Sequence, residues 1–166
     1  MKPLKLLVLI TACIAVNNFV NAQNVSINIL SRNSGIVKSG GSVFLEVTIN
    51  NTSATETVPV YKLKPQISFP STVIIPKDGH VLPQGWNIVF NEGGVVRLSN
   101  GTDVIAPNEA RTILLKIEGK TIGGSSAISA NLLFSNGAAP GIASGIATVA
   151  DNPADNASTS TIEVIK

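Results

Sequence analysis

The sequence predicts an all-β sandwich of antiparallel strands, on three observations. Apolar and polar residues alternate with period two in many short stretches, the mark of half-buried strands. Glycine, proline and asparagine punctuate the intervals between them, as turns require. No helical run of apolar residues follows the first 22 positions. A barrel would space its strands more evenly and ranks second.

The strongest alternation lies in Val37 to Asn50, and the other strands are expected to assemble around it. A Ser39-Gly40-Gly41 turn opens into a strand with Val43, Leu45, Val47 and Ile49 on one side and Glu46, Thr48 and Asn50 on the other. Phe44 falls on the polar parity, which places it on the outer face as a candidate partner contact. Before this comes Val25 to Leu30, alternating Val25, Ile27 and Ile29 with Ser26, Asn28 and Leu30 and expected at an edge. Asn51 to Thr57 is small and polar, a loop. Pro59, Pro65, Pro70 and Pro76 then interrupt Val58 to Ile75, so this region is expected to hold only short edge pieces, Gln66–Phe69 and Thr72–Ile75, because proline lacks a ladder donor. Trp86 to Phe90 is a strand closed by Asn91-Glu92-Gly93-Gly94, a hairpin turn into Val95 to Leu98. Ala110 to Glu118 is the second long strand, with Ile113, Leu115 and Ile117 on one face. Ser126 to Phe134, a short Ile146 to Val149 and a final Thr159 to Ile165 complete the set, the last two separated by a polar turn over Ala150 to Asn156.

The start of the chain reads as an export signal. Lys2 and Lys5 precede an apolar run from Leu6 to Val16, and Val20-Asn21-Ala22 supplies small residues at a cleavage site. Cleavage after Ala22 would leave a domain over residues 23–166. A rival reading takes Ile10-Thr11-Ala12-Cys13 as a lipobox, with Cys13 lipidated and the chain an outer-membrane lipoprotein accessory. Cys13 is the only cysteine, so a chain beginning at Gln23 holds no disulfide and rests on its core alone. Without Lys2 and Lys5 the 12 basic residues fall to ten, against ten acidic ones. A neutral chain gives no electrostatic footprint for nucleic acid.

Four turns resemble those of a known family. Val37-Lys38-Ser39-Gly40-Gly41-Ser42, with a strand ending Ile49-Asn50-Asn51-Thr52, is similar to the opening of the conserved-repeat domains of unknown function in bacterial surface proteins. Leu82-Pro83-Gln84-Gly85-Trp86 resembles that family's Leu-Pro-x-Gly followed by an aromatic residue. Ile105-Ala106-Pro107-Asn108-Glu109-Ala110 resembles its turn before a long strand, with Asn108 where glycine is usual. Ala150 to Ser158 resembles its closing turn, with Asp155 where asparagine is frequent. The resemblance implies an immunoglobulin-like antiparallel β-sandwich of seven to eight strands. It also implies a spacer or adhesive role through protein contacts in a surface assembly, with no enzymatic activity and no cofactor.

No residue pattern argues against that expectation. His80 is the only histidine, set between Gly79 and Val81, and no Gly-x-Ser-x-Gly elbow accompanies it; an exposed loop histidine is expected. One histidine without a second soft ligand does not make a zinc site. Asp151, Asn152, Asp155 and Asn156 have calcium-ligand chemistry, with Asp151 and Asp155 as the carboxylates, but such residues also fold back on their own backbone to make turns. Tyr61 and Trp86 are the aromatic pair a carbohydrate-binding module would use; against this, Trp86 opens an alternating strand, where a core tryptophan belongs. Asn24, Asn50, Asn51, Asn100 and Asn156 each head an Asn-x-Ser/Thr triplet, which composition alone explains. If the last strand lies at an edge, it is open to pairing with a partner's strand.

Overall fold

The computed structural model describes residues 24–135, 151 and 153–166. The expected signal segment, Cys13, the Ile146 to Val149 strand and Asn152 lie outside the described residues. Among the described residues ten strands form two sheets. In chain order these are β1 (Val25–Ser31), β2 (Ile36–Lys38), β3 (Ser42–Asn51), β4 (Leu63–Ser68), β5 (Val73–Ile74), β6 (Asn87–Glu92), β7 (Val95–Ser99), β8 (Ala110–Gly119), β9 (Gly123–Phe134) and β10 (Ala157–Ile165). One sheet runs β1-β3-β8-β5, the other β2-β10-β9-β4-β7-β6. All pairings are antiparallel except β10 with β2.

The organising strand is central, as its alternation demands. β3 pairs along its length with β1 on one side and β8 on the other. Its inward residues Val43, Leu45, Val47 and Ile49 meet Ile27 and Ile29 of β1 and Ile113, Leu115 and Ile117 of β8 in one buried layer. The second sheet supplies Leu63, Ile67, Val96, Leu98, Ile128, Leu132, Ile162 and Val164 to the same core. The β6–β7 hairpin turns on Gly93 and Gly94, both with positive φ (61° and 76°), the geometry whose twist matches paired strands.

Ten strands are described where the resemblance implies seven to eight, and β2 is one that the alternation did not separate. The turn expected at Ser39-Gly40-Gly41 carries the chain from the short β2 in one sheet to β3 in the other. At this crossing Gly40 N–H donates to the Gly119 carbonyl and Gly119 N–H to the Gly41 carbonyl.

One further expectation is corrected, and the condition set on the last strand is not met. Gln66–Phe69 is not an edge piece: β4 lies between β9 and β7, with Pro65 inside it opposite Leu132. The ladder to β7 begins only at Gln66. The Leu132 amide points away, to the Asn156 carbonyl, so the Pro65 nitrogen faces the side where β7 has not yet joined. There a missing donor costs nothing. The last strand is not an edge either, since β10 lies between β9 and β2. β2 covers only Glu163 to Ile165. Over the rest of β10 the exposed amides of β1 take its side chains: Ile29 N–H donates to Ser158 Oγ (3.1 Å) and Ser31 N–H to Ser160 Oγ (3.0 Å). A seam of serine hydroxyls thus closes one flank of the sandwich where a barrel would have a backbone ladder.

Two buried asparagines fasten the connections between sheets. Asn100, fully buried, accepts from the Leu63 amide (2.9 Å) and donates to the carbonyls of Pro59 (2.8 Å) and Asp103 (2.9 Å). Asn51 donates to the Glu56 and Ile105 carbonyls and accepts from Ser53 N–H. Their amide nitrogens are committed inside the protein, so these two triplets present no surface amide. Asn100→Ala would strand the buried Leu63 amide and take the side-chain donor from the Pro59 and Asp103 carbonyls. We expect a loss of about 2–4 kcal/mol, read as a lower urea midpoint at unchanged slope.

Candidate functional site

The expected site residues do not converge; most are drawn into closing the fold. Trp86 follows a turn in which Gly85 has φ +82°. A side chain at Gly85 would also strike the Asp103 backbone, so glycine is required on both counts. The turn sets the indole into the core, 4 % exposed, with Nε1–H donating to Asp103 Oδ2 (2.7 Å). Trp86 therefore offers no face to a sugar, which corrects its place among the ligand contacts. Arg111 grips the same carboxylate with two nitrogens (2.8 and 3.2 Å) and reaches Glu109 and the Val104 carbonyl. The hydrogen bonds it donates to Asp103 hold the Arg111 guanidinium above its ordinary range. Tyr61 is exposed and has a left-handed backbone (φ +57°), its N–H bonded to the Gly101 carbonyl. It stands as a single ring without the tryptophan as a second platform.

His80 is not a free loop side chain. Its Nδ1 accepts the Lys116 amide of β8 (3.0 Å), and Nε2 donates to the Pro76 carbonyl (2.8 Å). The amide is only a donor and the carbonyl only an acceptor, so the ring is neutral with its proton on Nε2. Both nitrogens serve the backbone. Nothing in the sequence pattern signals this tie, since 36 residues separate the partners.

The Asp151–Asn156 turn is also built into the frame. Asp151 Oδ1 accepts the first amide of β1, Val25 N–H (2.9 Å), and Oδ2 accepts from Asn156 Nδ2. Asp155 lies close by; burial first, and the Asp151 charge second, push its carboxyl up. Asn108, at the position where the resembling family has glycine, has φ +59°, a conformation asparagine tolerates. A shallow open cleft of about 240 Å³ runs between Asn50–Thr52 and Asn108–Ala110.

What remains available is the outer face of the four-stranded sheet. The register aligns Leu30 of β1, Glu46 of β3, Leu114 of β8 and Val81 in one row. The next row holds Phe44 and Lys116, and the next Ser42, Glu118 and Ile74. Leu30 (58 %), Val81 (54 %) and Ile74 (46 %) are exposed, and Phe44 and Leu114 are half-buried. Their charges are paired within the face, Arg32 to Glu46 (2.9 Å) and Lys116 to Glu118 (2.7 Å). The far end, with Ser26, Asn28, Thr48, Asn50 and Thr112, is polar. Sequence parity placed Phe44 on this face; only the register shows that Leu30, Leu114, Val81 and Ile74 share it.

No family model matches the sequence, and no curated protein matches it. Solved structures match in fold. A cohesin module from a family 33 glycoside hydrolase of Clostridium perfringens aligns over 87% of this chain and 97% of its own, at 12% identity and a TM-score of 0.52. The CARDB domain of a Pyrococcus furiosus protein aligns over 87% and 97%, at 15% identity and a TM-score of 0.51. A Nocardia farcinica protein described as having an immunoglobulin-like fold aligns over 82% and 98%, at 15% identity and a TM-score of 0.47. The likeness to the cohesin module and the CARDB domain is one of fold, a β-sandwich of two sheets. At these identities function has to be argued from the surface.

Asp155 gives a signed pH effect. A carboxyl whose folded pKa is raised binds its proton more tightly in the folded state, so its contribution to stability is complete below the unfolded value and lost as pH rises through the folded one. Asp155→Asn should therefore be more stable than the parent at pH 7. The difference should vanish below about pH 3, where the parent carboxyl is protonated; paired thermal melts at the two pH values read it.

Proposed function

We propose that this protein is an exported, non-catalytic protein-interaction module of a bacterial surface assembly that binds a partner through the apolar end of the β1-β3-β8-β5 sheet. The observation that carries the reading is that face. Five apolar side chains, Leu30, Phe44, Ile74, Val81 and Leu114, lie on three adjacent register rows of a sheet whose other surface already forms the core. Apolar groups gathered at one end of a solvent-facing sheet mark a contact surface more than a stability device. The internally paired charges leave the patch without net charge, which suits an uncharged, flat protein surface. Phe44 and Leu114 supply half-buried anchors at its centre, the arrangement in which interface energy concentrates.

Export is supported by Lys2, Lys5, the Leu6–Val16 run and the small residues before Gln23. No helix among the described residues is long and apolar enough to cross a membrane. Intact mass and N-terminal sequencing of the protein from its native cells should give an unmodified chain starting at Gln23. A chain starting at Cys13 with added acyl mass would instead make it a lipid-anchored accessory.

The docking face is tested by photo-crosslinking in those cells. A crosslinking residue placed at Leu30, Val81 or Ile74 should yield one shared adduct band. The same residue at Thr159 or Asn131, on the outer face of the other sheet, should yield none. Equal labelling from both sheets, or no adduct from the first, would remove this face as the contact.

A further inference from the structure

We propose that His80 is a proton-operated latch that holds the strap over residues 75–81 against the open edge of β8. β5 covers β8 only at Glu118 and Gly119. Beyond it the outward backbone groups of β8 are met by the strap. Lys116 N–H donates to His80 Nδ1 (3.0 Å), and Leu114 and Val81 exchange two backbone hydrogen bonds of 2.9 Å. The imidazole thus fills the gap in a ladder, standing where a strand residue would present a carbonyl. On its other side Nε2–H donates to the Pro76 carbonyl, which also accepts from Asn91 Nδ2 of β6 (3.1 Å). The strap is therefore tied to both sheets, and one ring nitrogen makes its tie to Lys116.

That nitrogen works only as an acceptor. A proton on Nδ1 would set N–H against N–H, cancelling the bond to Lys116 while leaving the Nε2–H bond to Pro76 intact. The closed strap selects the neutral ring, so protonation at Nδ1 opposes closure. Charged groups lie on every element around the ring. On β8 the Lys116 stem runs over Gly79, where an added side chain would meet Lys116 Cδ at 2.9 Å, and its ammonium pairs with Glu118. The strap itself carries Lys77 and Asp78, both exposed; β6 presents Asn91 and exposed Glu92. Across β8, Glu46 of β3 is paired with Arg32. Lys116–Glu118 and Arg32–Glu46 are closed ion pairs, and the amide–imidazole bond is the element that senses the proton. Opening would bare the β8 backbone at Lys116 and loosen Val81 beside it, an unpaired edge of the kind that accepts an incoming strand. The latch stands whether or not the neighbouring apolar face binds a partner.

Amide hydrogen exchange by NMR on the purified protein, with ¹⁵N shifts of the imidazole, tests the latch. At pH 7.5 the ring should show the neutral form protonated at Nε2. Between pH 7.5 and 5, after correction for intrinsic exchange, Lys116 protection should fall at least about tenfold. Leu115 and Ile117, which face β3 in the same strand, should keep theirs. His80→Gln, which retains one acceptor and one donor, should remove the pH dependence at Lys116. The proposal is overturned if the ring does not titrate in this range, if it titrates while Lys116 protection stays constant, or if Lys116, Leu115 and Ile117 lose protection together.

Discussion

The constraint on which this fold depends is the backbone left unpaired at the edges of its sheets. Apolar burial holds the two layers together, but each buried edge amide without a partner would cost about 1–3 kcal/mol. The chain meets these amides with side chains from distant segments. Asp151, Ser158 and Ser160 take the outward amides of β1 at Val25, Ile29 and Ser31. His80 and the Val81 backbone take those of β8. Asn100 takes Leu63, where β4 runs beyond its β7 ladder. The first and last strands of the domain are thereby sewn together across more than 120 residues of sequence. The edge of β1 is complete only once β10 is in place.

The same constraint explains why the residues with the richest chemistry assemble no site. A histidine, two aspartates and a tryptophan are each committed to a structural partner: His80 to two backbone groups, Asp151 to Val25 and Asn156, Trp86 to Asp103, and Asp103 in turn to Arg111. Polar capacity is spent on the seams, and the surplus on the four-stranded sheet is apolar. Leu30, Val81 and Ile74 add little to the core, since their side chains face away from it. Their placement on adjacent rows is a property of the surface.

Much of the fold was legible because strand formation is local. Period two placed β3, β8 and β1 and their inward residues, and Gly93-Gly94 placed the hairpin. Asn108, standing where the resembling turn has glycine, adopts the left-handed backbone that such a position requires. What was not legible depends on register between distant strands. Pro65 argues for an edge only if both sides of its strand are paired, and at that position one side is not. The turn at Ser39-Gly40-Gly41 was legible, but not that it passes the chain from one sheet to the other. β10 is the last described strand yet lies inside its sheet, because position in sequence does not fix position in a sheet. Of the site, parity predicted the side on which Phe44 lies. Its apolar neighbours come from β1, β8 and the strap, and no single stretch of sequence contains them.

Val81 belongs to both structures that this surface carries. Its side chain is the outermost apolar group of the Leu30–Glu46–Leu114 row, and its backbone is the pair of hydrogen bonds that continues the β8 edge beside His80. A closed strap therefore presents a finished sheet face that a partner meets through side chains. An opened strap removes one apolar group from that face and offers backbone donors and acceptors in its place. These two surfaces favour different partners, a flat apolar surface in the first case and an extended segment in the second. The exchange needs no movement of the core, because Ile113, Leu115 and Ile117 hold β8 from its inner face whichever state the strap adopts.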